Sequence, residues 1–238
     1  MTRIRLGSGE DAASEASARG DLILLIDVLR ATTTIVTALA HGVREVIPVA
    51  SVDECTGELT AGERDGCKLP GMHLDNSPRS FIDQSHVGKR LTLTTTNGTR
   101  CLAAAGRNPE ALVLVAALVN LSAAAGSAQR VAQYYAKDIS IIASGRRNEE
   151  ATEDVLTAEL LKVAIASGAP PAISVESSGR HLASFLQSAS GRNLVGLGLH
   201  EDVSFCAQQD LYDLTPLYRE GVCRVLHACE PPVYGYPG

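Results

Sequence analysis

The sequence predicts an α/β fold: three α/β/α layers around a largely parallel or mixed sheet. Three observations predict it. Leu22–Ile26 is a continuous apolar run of strand length, the pattern of a strand buried on both faces, and Leu112–Ala116 and Ile139–Ala143 read as further strands, the latter also buried. They alternate with helical stretches, which is how a wound α/β sheet is built. The strands also give way to polar clusters at Asp27, at 94–99 and at 144–154, and such sheets bind ligands beyond the carboxyl ends of their strands.

Taken in order, residues 3–6 read as a short edge strand, and the polar, alanine-rich stretch 8–19 as a surface helix or loop. The buried strand Leu22–Ile26 ends at Asp27, and a helical pattern over 33–40 is stopped by His41-Gly42. Residues 45–50 read as a second strand and 52–60 as a helix capped by Ser51. From Gly62 to Pro78 turn formers dominate, and this reads as one long loop of the kind that is often functional. A strand at 91–95 passes through the tight-turn pair Asn97-Gly98 into a helix at 98–106. The strand Leu112–Ala116, a helix over Leu121–Tyr135 and the strand Ile139–Ala143 follow. The polar loop 144–150 leads into an amphipathic helix at Thr152–Ser167, closed by Gly168-Ala169-Pro170-Pro171. Helices near 180–189 and 200–209, a β-like stretch at 222–227 and a Pro/Gly tail complete the chain. No repeat or linker interrupts it, so 1–238 reads as one domain, with room for a smaller C-terminal lobe after about 170.

The charge balance is 21 − 27 = −6, and no basic surface points to nucleic acid or an anionic membrane. An acidic chain that binds an anion must use a local site or a metal. The longest apolar runs, such as Leu22–Ile26 and 111–119, are too short to span a bilayer, and residues 1–7 carry no signal core. Cys55, Cys67, Cys101, Cys206, Cys223 and Cys229 lack zinc or redox spacing, so a reducing cytoplasm fits. The small-residue helix around 122–132 could pack on a second copy, making a homodimer, or lie close to the sheet.

The turn Thr94-Thr95-Thr96-Asn97-Gly98-Thr99 joins a strand to a helix, where backbone N–H groups and the helix dipole favour an anion. It reads as a phosphate cradle, with hydroxyl and amide donors from Thr95, Thr96, Asn97 and Thr99; the same pattern also describes an ordinary capped turn. No Walker A lysine follows Gly98, no Gly-x-Ser-x-Gly or Gly-x-Gly-x-x-Gly occurs, and position 29 is leucine, which removes an Asp-x-Asp pair. Asp27 closes an apolar strand, where a carboxylate needs a partner or a metal; capping or pairing with Arg30 would serve equally. Glu63, Glu153 and Asp154 are further acids, and an oxygen-only set of this kind suits Mg²⁺. Arg30 and Arg64 suit bidentate contact with phosphate or a second anion, or solvated surface charge. His73, His181, His200 and His227 are scattered and receive no role.

Asp27-Val-Leu-Arg-Ala-Thr-Thr-Thr34, Gly62-Glu-Arg64, Asn76-Ser-Pro78, Thr94–Thr99 as above, Glu153-Asp154, and Asp202-Val-Ser-Phe-Cys206 with Asp210 together resemble the 2-phosphosulfolactate phosphatase family, in the same order over nearly the whole chain. The resemblance implies the family's own α/β fold and a Mg²⁺-dependent hydrolase that converts (2R)-2-phospho-3-sulfolactate to 3-sulfolactate and phosphate. In archaea that step belongs to coenzyme M biosynthesis. The resemblance leaves open which acid holds metal and which moves protons; our own reading makes Asp27, Arg30 and Glu153 catalytic and puts Asp27 with one or more of Glu63, Glu153 and Asp154 around the metal. Phosphoryl contacts would come from Arg30, Thr32, Thr33, Asn76, Ser77 and the Thr95–Thr99 turn including Gly98, with Arg64 pairing the sulfonate or carboxylate. The family's loop before Glu-Asp reads like Ala-Gly-Thr-x-Gly-x-Phe-Ser, whereas this chain has Ala143-Ser-Gly-Arg-Arg-Asn-Glu-Glu-Ala-Thr152. Two arginines there bear on which anionic tail is preferred. The rival readings are a phosphatase for another small phosphorylated hydroxy acid, and a protein that binds a phosphometabolite without turning it over.

Overall fold

The computed structural model describes residues 2–146, 149–168 and 175–226. Along the chain it has β1 (Ile4–Ser8), α1 (Gly9–Arg19), β2 (Leu22–Ile26), α2 (Ala31–Ala40), β3 (Glu45–Pro48), β4 (Leu59–Arg64), β5 (Cys67–Lys68), β6 (Arg90–Thr94) and α3 (Gly98–Ala105). Then come β7 (Leu112–Ala116), α4 (Leu121–Tyr135), β8 (Ile139–Ala143), α5 (Thr152–Ser167), α6 (Val175–Gln187), α7 (Ala189–Gly196), α8 (His200–Cys206), β9 (Pro216–Arg219) and β10 (Val222–Val225).

The ten strands form one sheet in the order β1-β8-β2-β7-β9-β10-β3-β6-β4-β5. Alternation along β2 sends Ile23 and Leu25 into a core with α1, α2 and α3. Leu22, Leu24 and Ile26 enter a second core with α4 to α8. A strand that must feed two cores has no polar side, which is why β2 and β7 read as unbroken apolar runs; β8 is interrupted only by Ser140, whose hydroxyl donates to Asp21. The result is the three-layer α/β/α arrangement, on a mixed sheet.

Pairing sense matters for the site. β1-β8-β2-β7 are mutually parallel, and so are β3-β6-β4. Between the two sets stands the β9–β10 hairpin, antiparallel to β7 on one side and to β3 on the other. Three antiparallel steps leave β6 nominally opposed to β2, so their carboxyl ends do not share an edge as a simple wound sheet would give. The join is narrow, since β10 meets β3 only at Cys223 and Val46. Five steps separate β2 from β6 in the sheet order. At ~20–25° a step, twist turns β6 through roughly 100–125°, which makes the strands cross and lets both carboxyl ends approach one point.

Other differences from the sequence reading are local. Residues 52–58 are turns rather than a helix. Glu54 Oε2 accepts the Ser51 N–H and Ser51 Oγ accepts that of Asp53, bonds that compete with helix formation, and Gly57 adopts φ 126°. Leu59 onward is β4, paired with β6, so the long loop begins later and contains the small hairpin with β5. β9 was not anticipated, and α6 and α7 replace one helix near 180–189. The small residues of α4, including Ala124, Ala125 and Ala128, are buried in the core they share with α5. Cys55, Cys67, Cys101, Cys206 and Cys223 are unpaired. Arg147, Asn148, Ala169, Pro170, Pro171, His227, Cys229 and the Pro/Gly tail lie outside the described residues. Among the described residues no helix is long and apolar enough to cross a membrane.

Candidate active site

Asp27 leaves β2 at the mouth of a pocket lined by loops from both halves of the sheet. Its side chain is buried, and Oδ1 accepts the Ala31 N–H at 3.2 Å, capping α2. Thr32 donates to the Asp27 carbonyl at 2.9 Å and accepts the Asp27 N–H at 3.0 Å; Thr33 donates to the Val28 carbonyl at 2.9 Å. Both threonines are fully buried and absent from the lining. They brace the Asp27 loop instead of facing a phosphoryl group.

Gly98 starts α3 directly against this loop. A Cβ there would lie 2.6 Å from Asp27 Oδ2 and 2.7 Å from the Ala31 Cβ, so only glycine admits the contact. The turn before it is saturated. Thr95 and Thr99 exchange hydroxyl-to-N–H bonds at 3.2 Å each, and the Thr96 N–H donates to Glu63 Oε1 at 2.8 Å. These donors hold the protein's own residues: the N–H groups of Thr95, Thr96 and Thr99 are already engaged, which departs from the expected phosphate cradle. Thr95, Thr96 and Asn97 still line the pocket.

Strand alternation separates Glu63 from Arg64. Glu63 faces the pocket, with Oε2 accepting the Gly66 N–H at 2.7 Å. Arg64 points away, donating to the Glu63 carbonyl at 2.7 Å and to Thr94 Oγ1 at 3.1 Å, and is not among the lining residues. It is therefore badly placed to read a substrate tail.

From the β8 side, Asp154 Oδ1 accepts the Val28 N–H at 2.8 Å and Oδ2 the Gly145 N–H at 3.2 Å. The two oxygens hold two loops together, with one N–H on each. Neighbouring Glu153 is 1% exposed, and its Oε2 has no hydrogen-bond partner.

Arg30 is buried as well. Its Nη1 donates to Asp202 Oδ2 at 2.5 Å and Asp75 Oδ2 at 3.2 Å, and its Nη2 to the Gly66 carbonyl at 3.2 Å. Ser77 supports the same pair: its hydroxyl donates to Asp202 Oδ1 at 2.7 Å and its N–H to Asp75 Oδ1 at 3.0 Å. Ser77 thus acts on the arginine's partners and is not in the lining, whereas Asn76 is, with a buried, unpartnered Oδ1. Asp202 and Asp75 have no role assigned from the sequence, where Asp202 stands beside Glu201 as one of two acids in the first turn of α8. Asp210, quoted in the same run, caps α4 through Ser122 at 2.7 and 2.6 Å.

Four carboxylates, Asp27, Glu63, Glu153 and Asp154, thus share one pocket. Burial pushes the Asp27 carboxyl up to about 7, with Glu63 and Glu153 adding repulsion and the Ala31 and Gly98 N–H groups pulling it down. Burial, Asp27 and Glu153 hold Asp154 well above the usual carboxylate range. Such a cluster calls for a cation. Coordinating capacity remains on Glu153 through its orphaned oxygen, and on Asp27 and Asp154, whose oxygens each accept one N–H and keep a lone pair. That fits a hard ion such as Mg²⁺, which takes one or two carboxylates and fills its shell with water and phosphate oxygens. Among the described residues no three His, Cys, Asp or Glu side chains are arranged to hold a metal by themselves.

A family profile described as 2-phosphosulpholactate phosphatase matches residues 10–221. The chain is 34% identical to a probable 2-phosphosulfolactate phosphatase of Symbiobacterium thermophilum, over 85% of this chain and 93% of that protein. It is 33% identical to one from Carboxydothermus hydrogenoformans (84% and 87%) and 34% to one from Thermotoga maritima (84% and 89%).

Proposed function

Given that the chain belongs to the 2-phosphosulpholactate phosphatase family, we propose that it is a Mg²⁺-dependent phosphatase converting (2R)-2-phospho-3-sulfolactate to (2R)-3-sulfolactate and phosphate. One observation carries this beyond the likeness: Gly98 against Asp27, which unites the carboxyl ends of β2 and β6 in one acidic pocket. Asp27 would hold the cation, which supplies positive charge against the phosphoryl oxygens. Enzymes accelerate phosphate-monoester hydrolysis by up to ~10²¹-fold, so charge neutralisation and positioning must both be large. Arg30, fixed by Asp202 and Asp75, turns its remaining N–H groups toward the transferred group. Glu63 and Asp154 hold the loops. The orphaned Glu153 Oε2 and Asn76 Oδ1 are acceptors for the attacking water; Glu153 takes its proton as the water oxygen joins phosphorus and the ester P–O bond breaks, and returns it to the departing sulfolactate oxygen.

Phosphate release from the sulfolactate ester, measured with and without Mg²⁺, tests the reading. Glu153→Gln should lower kcat by about 10²-fold or more. A Glu153→Gln variant with wild-type kcat would remove this assignment. Tight binding of the ester with no phosphate released would favour a binding protein instead.

A further inference from the structure

The pocket's positive charge is unevenly available. Its lining includes five carboxylates, those of Asp27, Glu63, Asp65, Glu153 and Asp154, and two arginines. Arg30 is offset by Asp202 and Asp75 and adds little net charge. Arg146 differs: half-buried in the lining, its guanidinium pairs with no carboxylate among the described residues.

Its position is fixed from both sides. The preceding Gly145 donates its N–H to Asp154, the residue that also takes the Val28 N–H. Arg146 and Glu149 exchange N–H to carbonyl bonds at 2.8 and 2.9 Å, closing a tight bridge. Gly145 has φ 71°, and a Cβ there would sit 2.5 Å from the Glu149 carbonyl oxygen, so the bridge requires glycine. A half-buried guanidinium anchored to this frame, with no ion pair to a carboxylate among the described residues, has its donors available to an anionic ligand.

We infer that Arg146 binds the second anionic group of the substrate, the sulfonate or carboxylate that stays behind when phosphate leaves. This rests on the phosphatase reading and assigns to Arg146 the part expected of Arg64. The planar guanidinium fork matches a sulfonate or carboxylate bidentately, as an ammonium does not. The polar Ser190 and Asn193 of α7 line the same pocket, whose mouth therefore has polar walls to complete that subsite.

The test is isothermal titration of full-length wild type, Arg146→Ala and Arg146→Lys with 3-sulfolactate and, separately, with inorganic phosphate, all with Mg²⁺. Arg146→Ala should weaken sulfolactate by about 10–100-fold and phosphate by less than about threefold, with Arg146→Lys in between for sulfolactate. Unchanged sulfolactate affinity in Arg146→Ala overturns the inference, as does equal weakening of both ligands or a wild type that does not bind sulfolactate. Phosphate release from the ester by the same wild-type sample separates the two claims. Sulfolactate bound through Arg146 with no phosphate released leaves this subsite standing and removes the phosphatase reading.

Discussion

At the scale of single residues, the Asp27–Gly98 contact sets the account's sharpest expectation. Gly98→Ala must displace either Asp27 or α2, because the new methyl has no room beside Oδ2 and the Ala31 Cβ. Overpacking of this kind costs about 1–3 kcal/mol, and phosphate release should fall by far more than stability alone explains. A variant with wild-type kcat/KM would show that the close approach is idle. Asp27 itself carries a pH signature. Its carboxyl moves from an ordinary 3.8 to about 7 on folding. Between those values the unfolded chain has lost the proton and the folded one keeps it, so unfolding releases a proton and stability falls as pH rises through this window. Above it the penalty is constant. Asp27→Asn should therefore be more stable than wild type at pH 8 without Mg²⁺, by about 4 kcal/mol, while losing activity. Urea denaturation across pH 4–8 measures this, and a wild-type curve parallel to that of Asp27→Asn would contradict it. Some of this was legible in the sequence. An acid closing an apolar strand and a glycine opening a helix both stand out. The distinction between Glu63 and Arg64 was also available, since neighbours on a strand face opposite ways. The bond between Arg30 and Asp202 was not, because it spans 172 residues.

At the scale of elements, Asp202 ties the loop before α2 to α8, and Ser77 locks the pair from the intervening loop. Removing one partner of a buried ion pair leaves a charge uncompensated, typically at about 3–5 kcal/mol. Asp202→Asn should cost about that in urea denaturation and lower kcat/KM by misplacing Arg30. Asp75→Asn, at a more accessible carboxylate, should cost under about 1 kcal/mol. Equal effects would show that Arg30 does not depend on its buried partner. Elements were readable where local chemistry dominates. β2 and β7 are unmistakable because both faces are apolar, and α5 because its pattern ends at Gly168. The segment 52–58 misled because Asp53, Glu54 and Thr56 suit a turn as well as a helix, and only pairing of Leu59 with Leu91 decides for a strand beyond it. Pro216-Leu217-Tyr218-Arg219 is four residues long, too short to announce a strand without its partners β7 and β10.

At the scale of the molecule, the sheet's mixed sense was beyond local reading, since the last strands of the chain return to sit between its two parallel sets. Glu45 of β3 helps hold that junction, paired with Arg90 of β6 and Arg224 of β10. Burial alone would raise the Glu45 carboxyl, but hydrogen bonds and charge from Arg224 and Arg90 outweigh it and hold it below the usual range. A lowered carboxyl stabilises above its unfolded pKa, and that contribution is lost as pH falls through the folded value. Glu45→Gln should thus cost about 1 kcal/mol at pH 7, a modest figure because both arginines are half-exposed and screened, with the gap closing in acid. The junction matters because it sets the crossing that brings β6 to β2, and the proposed chemistry depends on that meeting point. The most direct measurement is phosphate release from (2R)-2-phospho-3-sulfolactate by wild type and Asp27→Asn as Mg²⁺ is titrated. The account predicts saturable Mg²⁺-dependent release by wild type and loss of both release and Mg²⁺ response in Asp27→Asn. Release that is indifferent to Mg²⁺, or that survives in Asp27→Asn at the wild-type rate, would contradict it.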